Sequence, residues 1–310
     1  MMSERRSDAL VLRAPAKLNL HLEVLGKRPD GYHELETLMV AVSLDDTLEF
    51  WPDESGKLTL TCGDPGLTCG PENLVMKAAE RLKRHVNGLS GAAIHLTKRI
   101  PMQAGLAGGS SDAATTLKGL NRLWSLGLSN DELGQLGAEV GSDVPFFFSP
   151  GAAWCTGRGE KVEPMTLGRP LDFLLAYPSV GLATAEVFRR VTVPAQPVSG
   201  GEIRSAVTRG DVDAIGPLLH NRLQEPAEKM CPEVARLRQD LSAANPVGCL
   251  MSGSGTTVFA LCRDRNDAVR VARTMGADVA DSPPHDGSVS QSPAGPAGVS
   301  YTLHVVRSCL

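Results

Sequence analysis

Residues 100–124 read IPMQAGLAGGSSDAATTLKGLNRLW, and they pose the question that decides the fold. Ala113, Ala114, Leu117, Leu120, Leu123 and Trp124 recur at helical spacing, which predicts an amphipathic helix over 111–124. Gly105, Gly108 and Gly109 stand before it as the loop that enters the helix, with Ser110 and Ser111 at the junction. Such a loop leaves backbone N–H groups unpaired at the positive end of the helix dipole, which suits a phosphate. The common phosphate loops do not fit. No lysine follows Gly108 or Gly109 as G-x-x-x-x-G-K-[ST] requires, and the glycine spacing is not G-x-G-x-x-G. A plainer reading stands beside the first: Ser110 or Ser111 caps the helix, Asp112 complements its dipole, and the glycines turn the chain.

Bulk properties narrow the classes. A chain of 310 residues holds one large or two ordinary domains. With 31 basic against 35 acidic residues and a formal net charge of −4, it lacks the basic footprint of a nucleic-acid binder. The opening MMSERRSDAL has no apolar signal region, and no apolar run approaches membrane-spanning length, so a cytoplasmic protein without a membrane partner is expected. Seven cysteines, at 62, 69, 155, 231, 249, 262 and 309, contain no C-x-x-C. That pattern argues against a zinc or thioredoxin-like site and for reduced thiols.

Periodicity outlines a mixed α and β chain without a repeat of 20 to 50 residues. KLNLHLEV, residues 17–24, alternates Leu18, Leu20, Leu22 and Val24 against Lys17, Asn19, His21 and Glu23, as a strand does. Further strands are expected near 38–44, 46–51, 57–62, 92–98, 145–148, 172–177 and 256–262, with VSYTLHVV as a closing strand. Helices are expected at 73–87, 111–124, 130–140, 184–190, 202–208, 211–219 and 233–243; Ser129-x-x-Glu132 opens the third as a capping box. Residues 276–298, rich in Pro, Gly, Ser and Asp, read as a loop. This order fits two α+β lobes, 1–160 and 161–310, with an active-site cleft between them better than a doubly wound sheet.

Four other stretches carry chemistry. APAKLNLHL sets Lys17 at the start of a strand with Asn19 on the same face. KRPDGYHELETL turns at Pro29-Asp30-Gly31 and presents Tyr32 and His33 side by side. GSDVPFFF puts Asp143 between a helix and an apolar strand, and MSGSGTTVF supplies a second glycine loop, Gly253-Ser254-Gly255. Each has a structural alternative: an edge-strand lysine, a hairpin anchor, a satisfied histidine, a capping aspartate, a tight turn. Their conjunction in this order points to a site.

The set P-x-x-x-G-L-A-G-G-S-S-D-A-A, with A-K-L-N-L before it and S-G-S-G-T after it, resembles the GHMP kinase superfamily. Members phosphorylate small alcohols with ATP, and the resemblance implies a loop that cradles the ATP phosphates with backbone amides alone. Within the superfamily, PAKLNLHLEVLGKRPDGYHELETL is similar to the branch whose small-molecule substrate carries a cytidine diphosphate group. Gly31-Tyr32-His33 separates the chain from members acting on mevalonate, homoserine or a sugar, none of which bears a nucleobase. The alternative of another class, a non-catalytic nucleotide sensor, is argued against by Lys17, Asp143 and the glycine loop.

The resemblance implies roles residue by residue. Lys17 and Asp143 match the catalytic pair, and Asn19 matches a residue near the reacting hydroxyl. Pro101, Met102, Gln103, Ala104, Gly105, Leu106, Ala107, Gly108, Gly109, Ser110 and Ser111 match the ATP-phosphate loop. Asn73 matches an asparagine close to the adenosine and reads equally well as a helix N-cap. Tyr32 and His33 match cytosine-binding positions, Phe188 matches the aromatic on the other face of the base, and Thr184 lies one turn earlier. Magnesium is expected to arrive as MgATP, with Ser110 or Ser111 as its protein donor and no dedicated protein metal cage. Three departures stand out: Ser142 where alanine is frequent, Met39 where an aromatic is common, and a longer, more polar 276–298.

Overall fold

The computed structural model describes residues 9–88, 90–277, 289–291 and 301–309. In chain order the elements are β1 (Leu10–Lys27), β2 (His33–Asp53), β3 (Leu58–Cys62), α1 (Leu74–His85), β4 (Gly91–Thr97), α2 (Gly108–Leu123) and α3 (Asn130–Val140). A 3-10 turn (Pro145–Phe148) leads to β5 (Ala152–Gly157), β6 (Lys161–Pro164), β7 (Asp172–Pro178), α4 (Thr184–Arg190), α5 (Gly201–Arg209), α6 (Val212–Leu218) and β8 (His220–Asn221). The chain ends with α7 (Gln224–Met230), α8 (Pro232–Ala243), β9 (Gly248–Met251), β10 (Val258–Cys262), α9 (Arg265–Thr274), β11 (Val289–Gln291) and β12 (Tyr301–Arg307).

Contacts group these elements into two units that interleave in sequence. One holds the chain up to Pro15, Asp45–Ile100 and Gly108–Phe148. The other holds Ala16–Leu44, Pro101–Ala107 and the chain from Ser149 on. A division at residue 160 follows chain order; the contacts follow another.

In the first unit, β4 pairs antiparallel with Thr47–Asp53 of β2 and parallel with β3. Helices α1, α2 and α3 pack against one another. Val75, Ala78, Ala79 and Leu82 form the buried stripe of α1, at i, i+3, i+4 and i+7. Asn73 caps that helix, its Oδ1 accepting from the Val75 N–H at 2.9 Å. Ser129 and Glu132 make the reciprocal capping box of α3. Gly119 of α2 lies against Phe50, where a Cβ would come within 2.5 Å of the ring, so no larger residue fits.

In the second unit, Leu35–Val40 of β2 pairs antiparallel with β5, β5 with β6, and β1 runs parallel to β8 through His21 and Leu22. A separate antiparallel sheet has the order β11-β12-β7-β10-β9. Its core joins Leu174, Ala176, Val258, Tyr301 and Leu303 to Val234 and Leu237 of α8 and Val271 of α9.

Several expectations are corrected. Residues 145–148 form a 3-10 turn, not a strand: Pro145 has no N–H for a ladder and its fixed φ suits a helical turn. The strands placed at 38–44 and 46–51 are one, β2, because Asp46 is fully buried and does not break it. The helix expected at 111–124 begins at Gly108, so Gly108 and Gly109 are its first residues rather than loop, and neither Ser110 nor Ser111 is its N-cap. β5, β6, β8, β9, α7 and α9 went unread. Of the loop expected at 276–298, residues 278–288 and 292–298 lie outside the described residues, while Val289–Gln291 pair with Thr302–His304 of β12.

Candidate active site

The polar face of β1 is the first surprise of the second unit. Alternation predicts a strand with one wet face, yet Lys17, Asn19, His21 and Glu23 are all buried. Buried charge must be partnered. Lys17 Nζ donates to Asn19 Oδ1 at 2.6 Å and to the Gly105 carbonyl at 3.0 Å. Glu23 takes both Arg222 donors at 2.7 Å and the N–H groups of Val24 and Val198. Burial alone would raise the Glu23 pKa, but these donors outweigh it and hold it down at about 2. His21 goes the other way, pushed down to about 4 by burial and by His220, against Glu23, so it is neutral at pH 7.

Two glycine turns of the same unit meet beside Lys17. Gly105 has φ +77°, and a Cβ there would lie 2.1 Å from the Ser252 carbonyl oxygen, so only glycine fits. The Lys17 N–H donates to the Leu106 carbonyl at 3.1 Å, and the Thr257 N–H to that of Ala104 at 3.1 Å. Ser252 Oγ donates to the Gly105 carbonyl at 3.0 Å and accepts from the Asn19 N–H at 3.3 Å. Asn221 Nδ2 braces the second turn through the Met251 and Gly253 carbonyls at 2.7 and 2.8 Å. Pro101 to Ala107 thus form a braced turn; Met102 and Gln103 on it are exposed, and Ala104 and Leu106 are buried.

The aromatic residues assigned to the base make contacts of their own. His33 and Phe188 stack directly, ring centroids 5.3 Å apart and planes 28° apart. Tyr32, half exposed, carries the Arg158 guanidinium 4.7 Å over its ring. Thr184 opens α4 and its Oγ1 bonds Ser254 Oγ at 2.9 Å. Met39 is buried and sits opposite Ala153 in the β2–β5 register.

In the first unit, Gly108, Gly109, Ser110 and Ser111 are the opening turn of α2. A Cβ on Gly109 would lie 3.3 Å from Leu74, next to Asn73, which links the start of α1 to that turn. Ser111 Oγ is buried and has no hydrogen-bond partner among the described residues. Asp143 sits half-buried in the turn between α3 and the 3-10 turn. Behind the opening turn lies an ionic cluster: Lys98 pairs with Asp46 and, at 2.9 Å, with Asp112. Asp46 also accepts from the Arg99 and Ile100 N–H groups at 2.6 and 2.9 Å. Burial raises the Asp112 pKa against the pull of Lys98.

Sequence reasoning missed Ser252, Arg158 and the Lys98 cluster as members of these constellations. Ser252 stood in the quoted MSGSGTT, and Arg158 between two glycines of positive φ in TGRGE, a hairpin signal. Among the described residues no group of three or more His, Cys, Asp or Glu side chains is arranged to hold a metal ion, and no helix is long and apolar enough to cross a membrane.

Comparison with known proteins decides the family. The family described as "GHMP kinases N terminal domain" matches residues 73–151, and "GHMP kinases C terminal" matches residues 203–281. The chain belongs to the GHMP kinases. Similar relatives of this GHMP kinase include the 4-diphosphocytidyl-2-C-methyl-D-erythritol kinase of Shouchella clausii, 43% identical over 261 residues that cover 84% of this chain and 88% of that one. The enzyme of the same name from Geobacillus sp. is 44% identical over 265 residues, covering 84% and 91%. A crystal structure of 4-(cytidine 5'-diphospho)-2C-methyl-D-erythritol kinase matches at a TM-score of 0.73 and 32% identity, covering 96% of this chain and 99% of the other. Homoserine kinase from Cytophaga hutchinsonii, at TM-score 0.69 but 18% identity, shares the GHMP kinase fold.

Proposed function

We propose that this GHMP kinase transfers the γ-phosphoryl group of ATP to the 2-hydroxyl of 4-diphosphocytidyl-2-C-methyl-D-erythritol, in the cytoplasmic, non-mevalonate route to isoprenoid precursors. The observation that carries the reading is the buried Lys17 ammonium, held between Asn19 and the Gly105 carbonyl. It occurs in a chain 43% and 44% identical, over 84% of its length, to enzymes named for that substrate.

In the proposed reaction the substrate hydroxyl oxygen attacks the γ-phosphorus as the bond to the ADP oxygen breaks, and the hydroxyl proton passes to the Asp143 carboxylate. The Lys17 ammonium offsets negative charge gathering on the transferring group. Asn19 stands beside the hydroxyl. Pro101 to Ser111 cradle the ATP phosphates through backbone amides, and Asn73 lies toward the adenosine. Tyr32 and Phe188 take the faces of the cytosine, His33 its polar edge, and Thr184, one turn before Phe188, also binds the substrate.

The buried Ser111 hydroxyl, without a hydrogen-bond partner among the described residues, fits the phosphates or their cation. Ser111, or Ser110 beside it, would be the protein donor to Mg²⁺, which supplies charge neutralisation on the β- and γ-phosphates when MgATP is bound. The test is ADP release from MgATP with the cytidylated tetritol, mevalonate, homoserine or galactose. Release is expected only with the first, and Asp143→Asn should fold normally yet lose about 10²–10⁴-fold in kcat. Equal turnover with a substrate lacking cytidine, or a near-normal Asp143→Asn, would overturn the respective assignment.

A further inference from the structure

Asn19 can hold Lys17 only if its amide points the right way. The amide has an oxygen end and a nitrogen end of nearly equal size, and only the oxygen accepts from an ammonium. Something must therefore choose between two orientations that differ by a half-turn about the last side-chain bond. Nδ2 of Asn19 donates to Thr37 Oγ1 at 2.8 Å, and that hydroxyl donates to the His21 carbonyl at 2.6 Å. A hydroxyl has one proton. Because the His21 carbonyl can only accept, it takes that proton, and Thr37 Oγ1 is left facing Asn19 as an acceptor. It therefore selects the NH₂ end of the amide, which turns Oδ1 toward Lys17 Nζ.

We propose that Thr37 is a positioning residue: its hydroxyl, oriented by the His21 carbonyl, fixes the Asn19 amide and through it the Lys17 ammonium. This rests on the kinase reading for its consequence but not for its geometry. Lys17, Asn19 and Thr37 are all buried, at 3%, 2% and 1% exposure, so water does not substitute for a lost partner there. The β2–β5 pairing sets Thr37 opposite Cys155, inside the strand register, which leaves the hydroxyl little freedom to seek another acceptor. Without it, Asn19 Nδ2 loses its acceptor, and the contact with the Lys17 ammonium alone is left to hold the orientation of the amide.

The test uses the full chain and the isosteric Thr37→Val beside Thr37→Ser. Thr37→Val should lower kcat with the cytidylated tetritol about 10–100-fold, the range expected when a buried hydrogen-bonding group is stranded. Both KM values should stay within about twofold of wild type, and Thr37→Ser should restore most of the rate. In an Asn19→Ala background the same valine change should cost about twofold or less, because no amide remains to orient. Wild-type kcat in Thr37→Val, no recovery in a folded Thr37→Ser, or an undiminished loss in the Asn19→Ala background would each overturn the proposal. Should the valine variant fail to fold, Thr37→Cys, similar in size and a weak donor, takes its place. An activity-free arm separates this proposal from the kinase reading: the Asn19 side-chain NH₂ protons, seen in asparagine-labelled protein, should exchange slowly in wild type and Thr37→Ser and rapidly in Thr37→Val. Slow exchange in Thr37→Val would refute the relay, whereas slow exchange in wild type with no turnover would refute only the kinase reading.

Discussion

Truncating Tyr32 and Phe188 separately should weaken the cytidylated substrate unequally, and the structure says in which order. A base stacked on an aromatic is worth about 1–3 kcal/mol by alanine substitution. Tyr32 is 52% exposed with Arg158 over its ring, so one face remains open to a base. Removing the ring then forfeits the full stacking energy, about 2 kcal/mol or roughly 30-fold in Kd. Phe188 packs on the core and has His33 on its ring, so a base there must first displace the histidine. That stacked pair is worth about 0.5–1.5 kcal/mol, which leaves about 1 kcal/mol, or roughly fivefold, for Phe188→Ala. The substrate is titrated by calorimetry without ATP, so that Kd is read directly, and ATP affinity is measured alongside and should not move in either variant. A melting curve accompanies each, since Phe188→Ala also removes core contact and Tyr32→Ala hardly does. Unchanged Kd in Tyr32→Ala would remove the cytidine platform, as would equal turnover of the free tetritol phosphate lacking CMP. A larger loss in Phe188→Ala than in Tyr32→Ala, with both folded, would refute the argument from His33.

Other outcomes follow from the glycine turns and the buried histidines. Gly105→Ala must place a Cβ 2.1 Å from the Ser252 oxygen at φ +77°, a strain of about 1–3 kcal/mol, so it should lower the melting temperature and cut turnover about tenfold. Gly109→Ala has only Leu74 at 3.3 Å to accommodate; it should fold normally and raise KM for ATP if the opening turn of α2 seats phosphate, and an unchanged KM would favour a simple turn. His21 and His304 both have folded pKa values lowered by burial from 6.5 to about 4. Each favours the neutral form, so its stabilisation is fully present above pH 6.5 and is lost as pH falls from 6.5 toward 4, about 3 kcal/mol at most per group. Melting temperature against pH should fall across that window, and His304→Gln should flatten the fall; an unchanged slope would count against it.

Much of the fold was legible because it rests on local rules. The Asn73 cap, the Ser129–Glu132 box and the Val75 to Leu82 stripe are patterns of a few residues, and helices α1 and α3 follow them. Misreadings came where a local signal was ambiguous. PFFF is apolar enough for a strand, but its proline and position after a turn make it a 3-10 turn. AAWCTG shows no clean alternation because β5 is buried along nearly its whole length, and GCLM is too short to show one, so both strands went unread.

The candidate site was legible as a set of residue names and illegible as a geometry. Lys17, Asn19, His21 and Glu23 alternate with leucines just as the wet face of an ordinary strand would, and no local pattern distinguishes the two cases. What distinguishes them is the partners, which lie far along the chain: Gly105 is 88 residues from Lys17, Ser252 is 233 from Asn19, and Arg222 is 199 from Glu23. A buried lysine or glutamate is costly unless such partners are already in place. The polar face of β1 therefore cannot be assembled one residue at a time. Its members are tolerable in the interior only together, with both glycine turns closed around them. That requirement explains why a strand that reads as half-solvated in sequence carries, once folded, a buried and hydrogen-bonded polar face. It also makes Thr37, a single hydroxyl inside a neighbouring strand, consequential: it sets the direction of the amide on which the Lys17 ammonium rests.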